Sequence, residues 1–264
     1  MHPGLTTLLV LALVAGSLPA AAEQDIEWVP VPAGRFSSVL ALGEAGVENR
    51  IEGFALMRQP VTNAQFLDFV KAQPEWQRGQ APSVFVDSQY LSHWAGALDI
   101  GAAGSQSPVT RVSWFAASAY CEAQGGRLPT WLEWEYVAAA DETRLDARAD
   151  PAWRERILGW YSRTGGNTLP AVGQSPANAY GVQDMHGLVW EWIDDFNALM
   201  ISADNRDQGD PDLLRFCGAG ALSAADRDNY AILMRTAMLS ALRADATTRN
   251  LGFRCARDTG KTAP

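Results

Sequence analysis

The sequence predicts an α+β fold in a single loop-rich domain, and three observations carry that expectation. The helical segments are short, and several open on a recognisable cap. Short apolar stretches that suit strands lie around them, without the regular alternation of strand and helix that a doubly wound sheet needs. Gly 23, Pro 14 and Trp 10 describe a chain rich in turns and pinned by aromatic clusters.

The elements follow in order. "IEWVPVPAGRFSSVLAL" alternates apolar and polar residues around a Pro-Ala-Gly turn and reads as an early hairpin. "FALMRQPVTNAQFLDFVKAQ" passes from a strand into a helix, with Thr62 as cap, Gln65 as its reciprocal capping-box partner, and Phe66, Phe69 and Val70 on the buried face. From Pro74 to Pro108 the chain is irregular and reads as a long surface excursion containing Trp76 and Trp94. A helix from about Trp114, capped by Ser113, stops at Gly125-Gly126. A second capping box, Thr130 with Glu133, opens a helix running to about Ala140. "GVQDMHGLVWEWIDDF" is turn-rich and dense in tryptophan, and "TTRNLGFRCARD" reads as a final strand buried at Leu251 and Phe253.

The amino end carries an apolar run, Leu8 to Val14, then "GSLPAAA", with small residues at Ala20 and Ala22 that suit cleavage after Ala22. The expectation is therefore a signal peptide over 1–22, a domain over 23–264 with its core at about 28–258, and a periplasmic or secreted location. The apolar run is too short to span a bilayer. The formal net charge of -9 excludes nucleic acid as a partner and disfavours an anionic membrane surface.

Three segments, "PVTRVSWFAASAYCEAQGGRLPTWLEWEYVAAA", "GVQDMHGLVWEWIDDF" and "NLGFRCARD", together resemble the formylglycine-generating enzyme, or sulfatase-modifying factor, family. "WVPVPAGRF" and "PVTNAQFLDFV" resemble that family's opening strands and first helix, so the likeness runs from about Trp28 to Asp258. It implies a compact, loop-rich fold related to C-type lectins, often in exported proteins.

The resemblance also implies roles for the three cysteines. Cys121 and Cys255 occupy the positions of a family disulfide, and an exported chain suits such a bridge. The cysteine pair with which the family binds copper(I) and activates oxygen would fall near Asp226 and at Ala231, so both members are replaced. A further family disulfide would need cysteines at Ala138 and Thr236 and is also missing. Cys217 is left over. It stands where the family has a strand bordering its active pocket, and it is the best single catalytic candidate, weighed against an ordinary buried thiol.

Soft sulfur suits copper(I), and Met234 and Met238 could join Cys217 in a sulfur site. That ligand set is incomplete, and Tyr230, Leu233, Met234, Ala237, Met238 and Ala241 have the spacing of a buried stripe. Calcium is the cofactor the resemblance implies. At "DMHGLVWEW" it carries over Asp184 and Glu191 through their carboxylates, and Gly187 and Val189 through their carbonyls, with Leu188 departing from the family's asparagine. The alternative is a structural turn with two solvated carboxylates. Asn167 would be a remnant of a second calcium site, and the acidic stretch at 204–212 does not follow the EF-hand order. Trp190, Arg235 and Ser240 match positions lining the family's cleft. His93 and His186 read as surface or capping residues, and the acid pairs Glu133/Glu135 and Asp194/Asp195 as helix or rim charges.

Three functions follow from different classes. The first is an accessory or maturation factor for another exported protein, for which a copper-type nitrite reductase system is a candidate because "FCGAGAL…NLGFRCA" resembles the relatives that accompany one. The second is an oxidoreductase with an altered metal centre using Cys217. The third is a calcium-dependent, lectin-like binding module.

Overall fold

The computed structural model describes residues 26–39, 48–161, 169–196 and 230–259. Strands β1 (Trp28–Val31), β2 (Gly34–Phe36), β3 (Asn49–Ile51) and β4 (Phe54–Met57) come first, followed by helix α1 (Asn63–Ala72). Helices α2 (Trp114–Ala123), α3 (Trp131–Ala138) and α4 (Pro151–Tyr161) form the middle. Strand β5 (Trp190–Glu191), helix α5 (Tyr230–Ser240) and strands β6 (Leu251–Gly252) and β7 (Ala256–Asp258) complete the described order.

The expected opening hairpin is not formed. β1 pairs antiparallel with β4, Trp28 opposite Met57, whereas β2 pairs with β3, Gly34 opposite Ile51. The reason lies in burial. All four residues of β4 are buried, so its backbone needs partners on both sides. β1 supplies one and β7 the other, giving the antiparallel order β1-β4-β7. Pro30, which has no N–H to donate, sits in the edge strand β1, where a missing donor is tolerated.

Both capping boxes form as the local sequence dictates. The Thr62 side chain accepts from the Gln65 backbone N–H and the Thr130 side chain from that of Glu133, and each partner side chain reaches back to its cap residue's N–H. Ser113 caps α2 by accepting from the Ala116 N–H. Phe66 and Phe69 of α1, Tyr120 of α2 and Phe253 form the centre of the core, with ring centroids 5.3 to 6.1 Å apart.

Residues 74–108 correct a second expectation. The stretch is irregular, but it is not a surface excursion: Tyr90, Leu91 and Trp94 are buried in the main core. Asn63, at the start of α1, anchors it. Its side-chain oxygen accepts from Trp94 Nε1 at 2.8 Å, and its amide donates to the carbonyls of Ala103, Gly104 and Ser107 at 3.2, 3.0 and 3.1 Å. Cys121 of α2 and Cys255, just before β7, are joined by a disulfide that ties the middle of the chain to its end.

Candidate functional site

Glu191 on β5 lies at the centre of a buried polar cluster. Its carboxylate receives Arg254 Nε and Nη2, the closest contact being 2.8 Å with neither side chain exposed, and Trp134 Nε1 at 2.8 Å. The rest of the Arg254 fork donates to the carbonyls of Met57, Arg58 and Gln183. A charge removed from water needs such complete pairing. The parallel β5–β6 contact, Glu191 opposite Gly252, brings the two strands together, and Gly252 is required there. A Cβ would stand 2.6 Å from the Val109 carbonyl oxygen.

Arg235 of α5 covers the other side. Its guanidinium lies 3.6 Å from the centre of the Trp134 ring, and Nη2 donates to the Glu191 carbonyl at 2.6 Å. His186 completes the layer, with its ring among Trp134, Trp153 and Trp160 at 5.7, 5.7 and 6.1 Å. Its Nε2 is 2.8 Å from the Ala138 carbonyl, which requires the N–H to be there. Burial lowers its pKa to about 4, so the ring is neutral at ordinary pH. Gly187 follows with φ 87°, and a Cβ there would meet the Trp160 ring at 2.7 Å. That is why α4 can close over this turn.

Asp184 adopts φ 58° and is buried. One of its oxygens accepts from the Ser175 N–H and hydroxyl and the other from the Gly173 N–H, which fixes the 173–175 loop. A third buried carboxylate stands on α3. Glu135 is fully buried and accepts from the Ser38 hydroxyl and from the Val39 N–H at 2.8 Å, with Arg148 Nη1 at 3.9 Å. Burial pushes its carboxyl above the usual carboxylate range, against the pull of those donors.

Residues 15–259 match the sulfatase-modifying factor enzyme 1-like domain of formylglycine-generating enzymes. The chain belongs to this family. It is 29% identical to the formylglycine-generating enzyme of Streptomyces coelicolor over 96% of this chain and 98% of that one. It is equally 29% identical to the inactive C-alpha-formylglycine-generating enzyme 2 of Bos taurus, covering 96% of each chain. The hercynine oxygenase of Mycobacterium tuberculosis is 34% identical over 54% of this chain and 37% of that protein. The family thus holds active, inactive and oxygenase-named members.

Against the family's pattern, the residues fall as follows. Asp184, Gly187, Val189 and Glu191 share one turn and strand, but the donor set does not suit a hard cation at Glu191. The lone pairs the carboxylate would offer are directed at a guanidinium and an indole N–H. Nor are Asp184 and Glu191 solvated, since both are buried. Among the described residues, no group of three His, Cys, Asp or Glu side chains is spaced to hold a metal ion. Trp190 is half-buried on β5, and Ser240 ends α5 with its hydroxyl on the Ala237 carbonyl. Arg235, expected on a cleft wall, is 1% exposed and serves as an internal strut.

Cys217, Asp226, Asn167, the 204–212 stretch and the segment 1–22 lie outside the described residues. On α5, Ile232, Arg235, Thr236 and Leu239 are buried whereas Met234 is 41% exposed, so the expected stripe is out of register. The true stripe has helical spacing but passes through a cation, which hides it from a purely apolar count. Glu135 is an interior group rather than a rim charge, and His186 is interior rather than on the surface, although its bond to the Ala138 carbonyl at the end of α3 is a capping contact of the kind expected. The signal for His186 was the density of tryptophan around it, at 153, 160, 190 and 192.

Proposed function

We propose that this chain is a family member without paired-thiol oxygen chemistry, acting as an accessory or maturation factor for another exported protein. The observation that carries the reading is the thiol count. The sequence has Cys 3, and the Cys121–Cys255 disulfide takes two of them. Cys217 alone cannot supply the two-thiol copper(I) ligand set that the family resemblance implies, and Ala231 stands at one of that set's positions. The likeness to a relative named inactive supports the same reading. So does the buried cluster around Glu191, whose charged groups hold structure together instead of facing a substrate. The apolar amino end supports export. Among the described residues, no helix is long and apolar enough to cross a membrane.

The test is an assay with copper(I), oxygen and a cysteine-containing sulfatase peptide, read by mass spectrometry beside the Streptomyces coelicolor enzyme. The peptide is expected to stay unconverted with this protein. Metal analysis of the chain purified from its own compartment without chelators is the companion measurement. Near-stoichiometric copper or iron that disappears in Cys217→Ala would overturn the reading in favour of an oxidoreductase.

A further inference from the structure

The register of β1 against β4 sets two opposite charges side by side where the strand pair ends. Trp28 lies opposite Met57, so the next pair outward is Glu27 and Arg58, and the Arg58 N–H donates to the Glu27 carbonyl at 2.9 Å. Their side chains meet as well. Arg58 Nη1 donates to Glu27 Oε1 at 2.6 Å, with 35% and 61% of the two side chains open to solvent. The chain then passes Pro60 into α1, whose first turn carries Gln65. Glu27, Arg58, Gln59 and Gln65, with Ile26 and Pro60, line a cavity of about 120 Å³. That is well above the space one water requires.

The surrounding network fixes which end of each amide is left over. Gln183 Nε2 donates to the carbonyls of Gly173 and Ser175 at 3.1 and 2.7 Å. Its Oε1 is therefore the acceptor that receives Arg58 Nε at 3.2 Å and Gln59 Nε2 at 2.9 Å. Gln59 is thereby oriented with Nε2 engaged and Oε1 free among the described residues. Gln65 is held the opposite way. Its Oε1 accepts from the Thr62 N–H at 3.0 Å, which leaves Nε2 as a free donor. Arg58 Nη2 is likewise free among the described residues. One cavity thus joins two donors, Arg58 and Gln65, to two acceptors, Glu27 and Gln59.

We propose that this cavity binds a small zwitterion of the α-amino-acid type. Its carboxylate takes Arg58 and Gln65 Nε2, and its ammonium takes Glu27 and Gln59 Oε1. An exposed ion pair contributes little, so parting Glu27 from Arg58 costs little. A zwitterion gives each of those charges a new partner and leaves no net charge behind. A simple anion or cation would satisfy one and strand the other. The site uses no thiol, so it operates whether or not the chain is an accessory factor.

The experiment follows the side-chain amide signals of Gln59 and Gln65 in the full chain by NMR. Glycine, L-alanine and L-leucine are added separately near neutral pH at constant ionic strength. Gln59→Glu and Gln65→Glu each delete one pair of signals and keep the side-chain length, which assigns them. The expected result is a saturable shift of both amides with at least one of the three amino acids, and none with acetate or methylammonium. Glu27→Gln, a change at an exposed side chain that leaves the fold intact, should weaken binding about tenfold, and so should Arg58→Met. Glycine betaine carries both charges but no N–H, and it should bind at least about tenfold more weakly than glycine. A shift reproduced by acetate or methylammonium alone, as strong with betaine as with glycine, or unaltered in both variants overturns the proposal. So does the absence of saturation with all three amino acids up to about 10 mM, which would leave the cavity to water.

Discussion

Glu191 and Arg254 meet at 2.8 Å, with neither side chain reached by solvent. Because Arg254 also holds three backbone carbonyls, it joins the ends of β4 and β5 to the loop at Gln183. Arg254→Met leaves a buried carboxylate with one indole N–H for company. It should cost roughly 3–5 kcal/mol in urea unfolding. Glu191→Gln combined with Arg254→Met should cost less than the sum of the single changes, since the second removes a group the first has already stranded.

His186 makes the fold sensitive to acid. Its folded pKa, about 4, lies below the ordinary value of 6.5, so the unfolded chain takes the proton first. The stability it protects is fully present above about pH 6.5 and is lost as pH falls toward about 4. The loss amounts to roughly 3 kcal/mol over that window. Unfolding midpoints measured across it should fall steeply for the natural chain and less steeply for His186→Gln.

The disulfide closes a loop with a sequence separation of 134. Replacing Cys121 and Cys255 together by alanine should lower stability by about 4 kcal/mol, read as a drop in the urea midpoint with a somewhat steeper slope, because the unfolded chain is no longer cross-linked. A thiol reagent applied to the unfolded, unreduced chain should titrate one group, Cys217.

Calcium should do little through Glu191. The carboxylate is already occupied by a guanidinium and an indole, and a cation would have to displace Arg254 from it. Stripping the protein with a chelator and adding calcium back should leave the thermal midpoint within about 1 °C, as no native-state ligand is gained or lost. A saturable rise with calcium that disappears in Asp184→Asn would place a cation on the turn in spite of the ion pair.

Much of the fold was legible where structure is decided locally. A capping box needs only Thr62 and Gln65, or Thr130 and Glu133, in register, and both were found. The strand partners were not, because β1 answers to the burial of β4 more than to the turn that follows it. The candidate site was harder still. Glu135 resembles any helix-surface glutamate until Ser38 and Val39, distant in sequence, fold onto it. His186 has no motif, and its environment is assembled from α3, α4 and its own turn. Arg235 in a buried stripe contradicts the rule by which stripes are read, because a ring face and a carbonyl help to accommodate its charge in the interior. What sequence reasoning does reach here is the inventory of thiols, since counting cysteines requires no geometry.

The short tail from Leu251 to Asp258 has a consequence for how the protein is made. It contributes β6, β7, the Arg254 guanidinium and the Cys255 half of the bridge. Until it arrives, β4 has an open edge and Glu191 lacks its counter-ion. The earlier segments therefore cannot settle fully and must remain in a provisional state until the 251–258 segment is delivered. A chain stopped just before Leu251 would lose a sheet edge, a buried cation and a covalent tie together, and a quality-control protease would find it open.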